Sequence, residues 1–283
     1  MLNGCAYILT VDVGNTFIRF GLFAEDSAAA QECPLATCEI TTPSSITADE
    51  ARMRLAQVMG ALSADAGMPG ALVPAAAVLS CVVPALERPW KAALSRTCTG
   101  RVLTVRPGLK TGMPVHYDDP AEIGPDRIAD AVAARAVYGS PCIVIDLGTT
   151  TNIEVIDAHG TFVGGVIAPG LALGARSLSA AAARLPQVEP SAPTYVIGRN
   201  TREAMRSGVV LGEVARIDGM LDMVLAEMRS TKAAGEGSVP IVITGDDAEA
   251  LAALVGHSLT VDDALTLRGL AELYRINQKP RRA

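Results

Sequence analysis

The chain has 283 residues, enough for one large or two medium domains with their own cores. With 49% apolar and 19% charged residues it reads as a compact chain and not a disordered one. A formal net charge of −6 argues against a nucleic-acid surface, which wants clustered Lys and Arg.

In chain order, residues 6–13 form an apolar, β-prone run that stops at the turn signal Gly14-Asn15-Thr16. A second such run covers residues 17–23, so the pair reads as a β-hairpin. The stretch up to about Pro43 has weak periodicity and gives no firm element. A helix is expected from Thr47, whose spacing to Glu50 is that of a capping box. Ala51, Leu55, Val58, Met59 and Leu62 make its apolar face. Residues 78–83 read as a buried strand closed by Pro84, residues 88–95 as a helix, and residues 101–105 as a short strand. Residues 107–126 are rich in Gly, Pro and Asp without periodicity, and irregular segments of that length are often functional. A helix follows over residues 127–137. Strands are then expected at 142–145, 153–156 and 161–167, the last two joined by the turn Asp157-Ala158-His159-Gly160. Residues 171–183 are Ala- and Leu-rich, but the stretch is too short to span a membrane and ends near Arg184, so it reads as a packed helix.

No run of about 20 apolar residues exists, and Asp12 interrupts the first apolar run, so neither a membrane span nor a signal peptide is expected. Six cysteines (Cys5, Cys33, Cys38, Cys81, Cys98, Cys142) form no Cys-x-x-Cys pair, and with three histidines a zinc site is not expected. Cys81 and Cys142 lie in apolar runs and read as small core residues. Free thiols suit the cytoplasm. Lys279, Arg281 and Arg282 read as a solvated tail. His116, His159 and His257 read as surface or loop residues.

One pattern occurs twice. Val11-Asp12-Val13-Gly14-Asn15-Thr16 is similar to Ile145-Asp146-Leu147-Gly148-Thr149-Thr150, each after an apolar strand and before a second strand. The spacing is close to half the chain, which implies a duplicated, hairpin-led lobe. Glycine in such a turn lets the backbone approach a phosphate, and turn N–H groups with the Asn or Thr side chain donate to its oxygens. The aspartate at the strand end can hold a hydrated cation. One Asp-x-Gly-x-Thr is an ordinary turn; two at matching positions point to a nucleoside triphosphate.

The duplicated turn resembles the actin, hexokinase and Hsp70-type ATPase superfamily. The segment between the copies narrows this. Tyr117-Asp118-Asp119-Pro120 and Gly124-Pro125-Asp126-Arg127 strongly resemble the type III pantothenate kinases. So do Gly164 to Gly170, the run Gly198, Asn200, Thr201 with Ala204 to Gly208, and the final Leu265-Thr266-Leu267-Arg268-Gly269-Leu270. The resemblance implies an α/β fold of two ribonuclease-H-like, actin-like ATPase lobes related by internal duplication, residues 1–122 and 123–283, with a nucleotide cleft between them. It implies that ATP lies along Asp12, Val13, Gly14, Asn15, Thr16, Phe17, Ile18 and Arg19 and against Thr149. Pantothenate would be held by Tyr117, Gly124, Pro125, Asp126, Arg127 and Thr201, with Asp126 as general base. Asp146 would bind a monovalent cation, potassium or ammonium, alongside Mg2+ with the nucleotide, in a cytoplasmic homodimer. Departures are Pro125 for the usual Ala, Asp119 for Asn, Asn152 for Thr and Asp246 for Gly. Competing readings on the same scaffold are a phosphohydrolase and a non-catalytic regulatory accessory protein, the latter acting through a partner or metabolite and not through DNA.

Overall fold

The computed structural model describes residues 6–25, 33–68 and 72–278. Cys5 and the basic residues Lys279, Arg281 and Arg282 lie outside the described residues. By packing, the chain divides into two compact units. One runs to Val137 and takes up the chain again from Ala264; the other is Tyr138–Asp263. The packing division therefore falls later than the 122/123 boundary read from the sequence, and the last helix returns to the first unit.

The first unit opens with the hairpin β1 (Tyr7–Val13) and β2 (Phe17–Ala24), followed by β3 (Ala36–Thr41). Helix α1 (Ala48–Asp65) starts at the expected capping box: Glu50 N donates to Thr47 Oγ1 and Thr47 N to the Glu50 carboxylate. Strand β4 (Ala76–Cys81) leads to α2 (Pro84–Thr97), which begins on a proline at its first position, where the missing N–H costs nothing. After β5 (Val102–Thr104) comes an irregular stretch with one short turn of helix at Pro120–Glu122, then α3 (Pro125–Tyr138).

The second unit holds β6 (Cys142–Leu147), β7 (Thr150–Ile156), β8 (Phe162–Pro169), α4 (Leu171–Ala181) and α5 (Thr201–Arg206). A π-helical bulge at Ser207–Leu211 joins α5 to α6 (Gly212–Ser230). Then follow β9 (Ile241–Gly245), α7 (Ala248–Ala252) and β10 (Thr260–Val261). The last helix, α8 (Leu265–Ile276), belongs to the first unit.

The duplication is explicit in the strand orders, β3-β2-β1-β4-β5 in one unit and β8-β7-β6-β9-β10 in the other. In each, an antiparallel three-strand meander carries two further strands paired in parallel. The first core packs Phe20 against Trp90 at 5.6 Å between ring centroids, with Leu55, Leu62 and Leu86 fully buried around them. The second gathers Ile143, Ile145, Ile217, Leu221 and Ile243.

Two expectations change. The stretch of weak periodicity before Pro43 contains β3, an edge strand whose alternate residues are exposed, so it carries too little apolar signal to be read. Helix α4 forms and touches β7 and the π-helical bulge of its own unit, with Leu171 against the second core, but only Ala175 is buried within it, so it is more exposed than a packed helix was expected to be. Among the described residues, no helix is long and apolar enough to cross a membrane.

Candidate active site

In the first unit, strand pairing lines up one polar row across four strands. Glu39 on β3 stands opposite Arg19 on β2, Arg19 opposite Asp12 on β1, and Asp12 opposite Ser80 on β4. Arg19 Nε donates to Glu39 at 3.0 Å. Asp12 is only 7% exposed, and its Oδ1 is buried without a hydrogen-bond partner. A buried carboxylate is costly to ionise. Burial first, and then the nearby Asp126 carboxylate, push Asp12 up to about 6; Ser80 and Arg19 offset this only in part. Ser80 faces Asp12 without forming a well-aligned hydrogen bond.

Above this row the first turn is tied down from both sides. Gly14 N donates to Phe17 O at 3.0 Å, and Thr42 Oγ1 donates to Gly14 O at 2.8 Å. Asn15 and Thr16 form the exposed tip. A Cβ on Gly14 would press on Phe17 O at 3.0 Å, so the tight turn explains the glycine.

Asp126 is the second residue of α3, where the helix dipole favours a negative charge. Arg127 N donates to Asp126 Oδ1 at 2.8 Å. Burial nevertheless raises the Asp126 pKa, against the lowering pull of the Arg127 and Asp126 backbone N–H groups and the Arg127 guanidinium. Gly124 makes room for this carboxylate: a Cβ there would lie 2.3 Å from Asp126 Oδ1. Pro125 occupies the first helical position, where a missing N–H is tolerated. Arg127 is buried and Tyr117 half-buried. Next to this helix start lies a cavity of about 320 Å³ walled by Val105, Leu109, Ile123, Pro125, Ile128 and Cys81. Arg106, ion-paired with Glu87, lies along the same wall. Cys81 is half-buried, packed against the first core on one side and lining this cavity on the other, whereas Cys142 is fully buried.

The second turn is one residue tighter. Leu147 pairs with Thr151 across β6 and β7, whereas Val13 pairs with Ile18 across β1 and β2. Gly148 N accordingly reaches Thr150 O, at 3.0 Å. The shortening places Asn152 opposite Asp146, where the first unit has Arg19 opposite Asp12. Thr244 flanks Asp146 on β9. Gly245, at φ 91°, brings the following backbone over the strand end, and Asp246 N donates to Leu147 O at 2.6 Å. Asp146 therefore has neutral cross-strand neighbours. Thr149 and Gly148 are half-buried. A Cβ on Gly170 would lie 2.1 Å from Gly148 O, so the glycine after β8 is what lets the chain pass the turn.

Beneath that turn is a buried group the sequence reading missed. Thr151 Oγ1 donates to Glu213 at 2.6 Å, and Glu213 pairs with Arg216, which also donates to Pro169 O. Thr201 opens α5 beside its cap Asn200, which accepts from Glu203 N at 3.0 Å. A Cβ on Gly198 would strike the α5 backbone, 2.2 Å from Ala204 N. Of the histidines, His116 and His159 are exposed, while His257 bridges Asp218 and Asp222 at 2.8 and 3.2 Å. Among the described residues, no group of three or more His, Cys, Asp or Glu is arranged to hold a metal ion.

The structure thus brings Asp12, Arg19, Asp126 and Arg127 together in the first unit, and sets Asp146, Thr149 and Thr201 in the second. A duplicated five-strand sheet with an aspartate and a glycine turn at the end of each first strand defines the actin- and hexokinase-type ATPase fold. A solved ROK hexokinase from Thermus thermophilus superposes with a TM-score of 0.50 at 13% identity, over 96% of this chain and 100% of that one. A Campylobacter jejuni protein described as a conserved Baf family transcriptional activator superposes with a TM-score of 0.56 at 18% identity, over 95% and 98% of the two chains. At such identities the likeness speaks for the fold alone.

Sequence similarity is more specific. The profile of the type III pantothenate kinases matches residues 8–223. A type III pantothenate kinase from Koribacter versatilis is 37% identical over 275 residues, 96% of each chain. One from Nocardia farcinica is 39% identical over 279 residues, 97% of this chain and 99% of its own. This chain belongs to the type III pantothenate kinase family, a family of phosphotransferases.

Proposed function

We propose that this protein transfers the γ-phosphoryl group of ATP to the primary hydroxyl of pantothenate, the first step toward coenzyme A, with Asp126 as general base. The observation that carries the assignment of roles is the carboxylate pair of buried Asp12 and half-buried Asp126, with the cavity of the acceptor loop beside the start of α3.

An alcohol attacks phosphorus poorly until a base within hydrogen-bond reach takes its proton. Burial makes Asp126 a stronger base than a free carboxylate, and the Arg127 N–H fixes its orientation. The hydroxyl proton passes to Asp126. The alcohol oxygen bonds to the γ-phosphorus as the bond from that phosphorus to the β,γ-bridging oxygen breaks, and ADP departs. In this reaction class catalysis is mostly positioning and charge neutralisation.

Residues Asp12 to Arg19, and Thr149 on the second unit, supply the contacts to ATP. Tyr117, Gly124, Pro125, Arg127 and Thr201 hold pantothenate, with the Arg127 cation answering its carboxylate. The cavity walled by Val105, Leu109 and Ile123 suits the apolar part of that acceptor. The partnerless Asp12 Oδ1 fits a water-bridged magnesium ion, which neutralises phosphate charge when bound. Asp146, between the neutral Asn152 and Thr244, takes a monovalent cation, potassium or ammonium. The protein works as a homodimer in the cytoplasm; the exposed apolar run Tyr195, Val196 and Ile197, each at least 73% exposed, is consistent with a covered face.

A coupled assay of ADP release with ATP, magnesium and potassium, with and without pantothenate, tests the reaction. Turnover that requires pantothenate is expected. ADP release without it would make the protein a phosphohydrolase, and no turnover at all would favour a regulatory accessory role. Asp126→Asn should lower kcat at least ~100-fold, the ordinary worth of a general base. Near-wild-type turnover in that variant would remove the role. Omitting potassium and ammonium should weaken ATP binding, and an unchanged ATP affinity would count against a cation at Asp146.

A further inference from the structure

The motif Leu265-Thr266-Leu267-Arg268-Gly269-Leu270 falls on α8, far along the chain from every residue assigned a role above. Its position in the fold gives it one. Helix α8 is buried along most of its length, with Leu265, Leu267, Leu270 and Leu273 inside. It packs on β1, the strand that carries Asp12, and on β4.

At Gly269 the backbone of α8 comes directly against that of α3. A Cβ built there would lie 1.9 Å from Ala129 O and 2.5 Å from Ala129 C, both backbone atoms that cannot swing aside. Ala129 stands three residues after Asp126, so the two share a face of α3. The helix bearing Asp126 is therefore seated directly on Gly269. At the other end of α8, Asn277 Nδ2 donates to Lys110 O at 2.8 Å. The Ile276 side chain fills the space beside Gly112, where a Cβ would meet its Cδ1 at 2.9 Å. Arg135, on α3, donates to Gly112 O. Arg101 donates to Asn277 O at 3.3 Å and adds a further tie at the end of α8.

The irregular segment 107–124 has no strand or helix of its own beyond an isolated bridge residue at Val115 and one short turn of helix. Its ends are defined by these contacts. Loops without internal structure hold a ligand well only when the surrounding scaffold fixes them.

We propose that α8 is a strut that fixes both ends of the acceptor loop, with Gly269 and Asn277 as positioning residues: Gly269 seats the helix that presents Asp126, and Asn277 holds the loop at Lys110. The part concerning Gly269 rests on the assignment of Asp126 as base; the part concerning Asn277 rests only on the loop as acceptor site. A Cβ at Gly269 would have to push α3 away by about 1 Å, since close-packed backbone does not compress. A misplacement of that size costs a catalytic group on the order of 100-fold.

The test compares Gly269→Ala, Asn277→Ala, Asn277→Asp and Asp126→Asn in the full-length enzyme, with kcat and both KM values measured alongside thermal melting. Asn277→Ala is expected to raise the KM for pantothenate roughly 3- to 10-fold, the worth of one hydrogen bond, with the KM for ATP unchanged. Asn277→Asp keeps the shape but loses the donor and should behave like Asn277→Ala. Gly269→Ala should lower kcat ~10- to 100-fold, and the acid limb of its pH profile should move down as Asp126 gains water. If Gly269→Ala does not fold, the Asn277 pair decides. An unchanged pantothenate KM in Asn277→Ala, or rescue by Asn277→Asp, would overturn the strut. Wild-type turnover in Asp126→Asn would remove the base while leaving the Asn277 effect in place, so the two ideas fail separately.

Discussion

The Asp126 carboxylate bears on Asp12: after burial itself, it is the largest influence holding the Asp12 pKa near 6. The two residues lie more than a hundred positions apart and reach one place because β1 and α3 belong to the same unit. Arg19, the nearest cation in the row, is already engaged with Glu39 and offsets the effect only in part. The pair is thus short of positive charge before any nucleotide arrives.

That shortage sets a pH dependence. In the proposed role Asp12 receives a magnesium-bound phosphate and must be ionised to do so; on that proposal kcat/KM should rise as pH increases through about 6. The midpoint belongs to the coupled pair and not to either residue alone. Raising magnesium should move the limb to lower pH, because a bound cation favours the ionised form. A kcat/KM profile between pH 5 and 8 at two magnesium concentrations reads this directly. A flat profile down to pH 5 would show that Asp12 is not held as described.

The same residue makes a stability prediction of definite sign. Asp12 has a folded pKa near 6 against 3.8 for an unperturbed Asp. Between those values the folded state binds more protons than the unfolded one. Its contribution to stability is therefore intact below pH 3.8 and is lost as pH rises through 6. At 1.36 kcal/mol per unit, the ionised residue costs up to ~3 kcal/mol at neutral pH. Asp12→Asn should be inactive yet melt higher than wild type at pH 7, with the gap closing toward pH 4. Equal melting temperatures at pH 7 would mean that Asp12 is better solvated than its burial implies.

Gly124 isolates the orientation of Asp126, the proposed base, from its chemistry. A Cβ at this position would lie 2.3 Å from Asp126 Oδ1, so Gly124→Ala must turn the carboxylate away from the Arg127 N–H. The displaced group is a side chain, so the fold should tolerate the change and the melting temperature should stay within a few degrees. Turnover should nonetheless fall ~10- to 100-fold. Wild-type kcat in this variant would separate the Asp126 rotamer from catalysis.

Both hairpins were legible in the sequence because an apolar run, a glycine turn and a second apolar run form a local signal, and the capping box at Thr47 is local too. The polar row was only half legible. Asp12 and Arg19 flank one turn, but Ser80 comes to Asp12 through a parallel pairing, which no local pattern encodes. The tighter second turn could not be seen as tighter, since Thr149-Thr150 fits either register; pairing alone places Asn152 opposite Asp146. The cavity beside Pro125 and the seat of Gly269 on Ala129 arise from tertiary packing of segments distant in sequence. Glycines in the motifs were visible as letters, and their reasons became visible only as contacts: Gly124 with a carboxylate, Gly170 with the turn at Gly148, Gly198 with the backbone of α5.

Glu213 shows what such contacts do in the second unit. It is 5% exposed, accepts from Thr151 Oγ1 at 2.6 Å and pairs with Arg216, which in turn holds Pro169 O. Pro169 pairs with Thr150, and Gly170 N donates to Thr149 O at 3.0 Å. The Glu213–Arg216 pair therefore braces β7, which leaves the second turn, and the end of β8, which pairs with it. Glu213→Ala leaves the Thr151 hydroxyl buried without its acceptor, a cost of about 1–3 kcal/mol. Glu213→Gln keeps an acceptor and should lose less. If Thr149 contacts ATP, relaxing the brace should raise the KM for ATP several-fold in Glu213→Ala while the KM for pantothenate stays put. A fall in melting temperature with both KM values unchanged would confine Glu213 to stability and place Thr149 outside the nucleotide contacts.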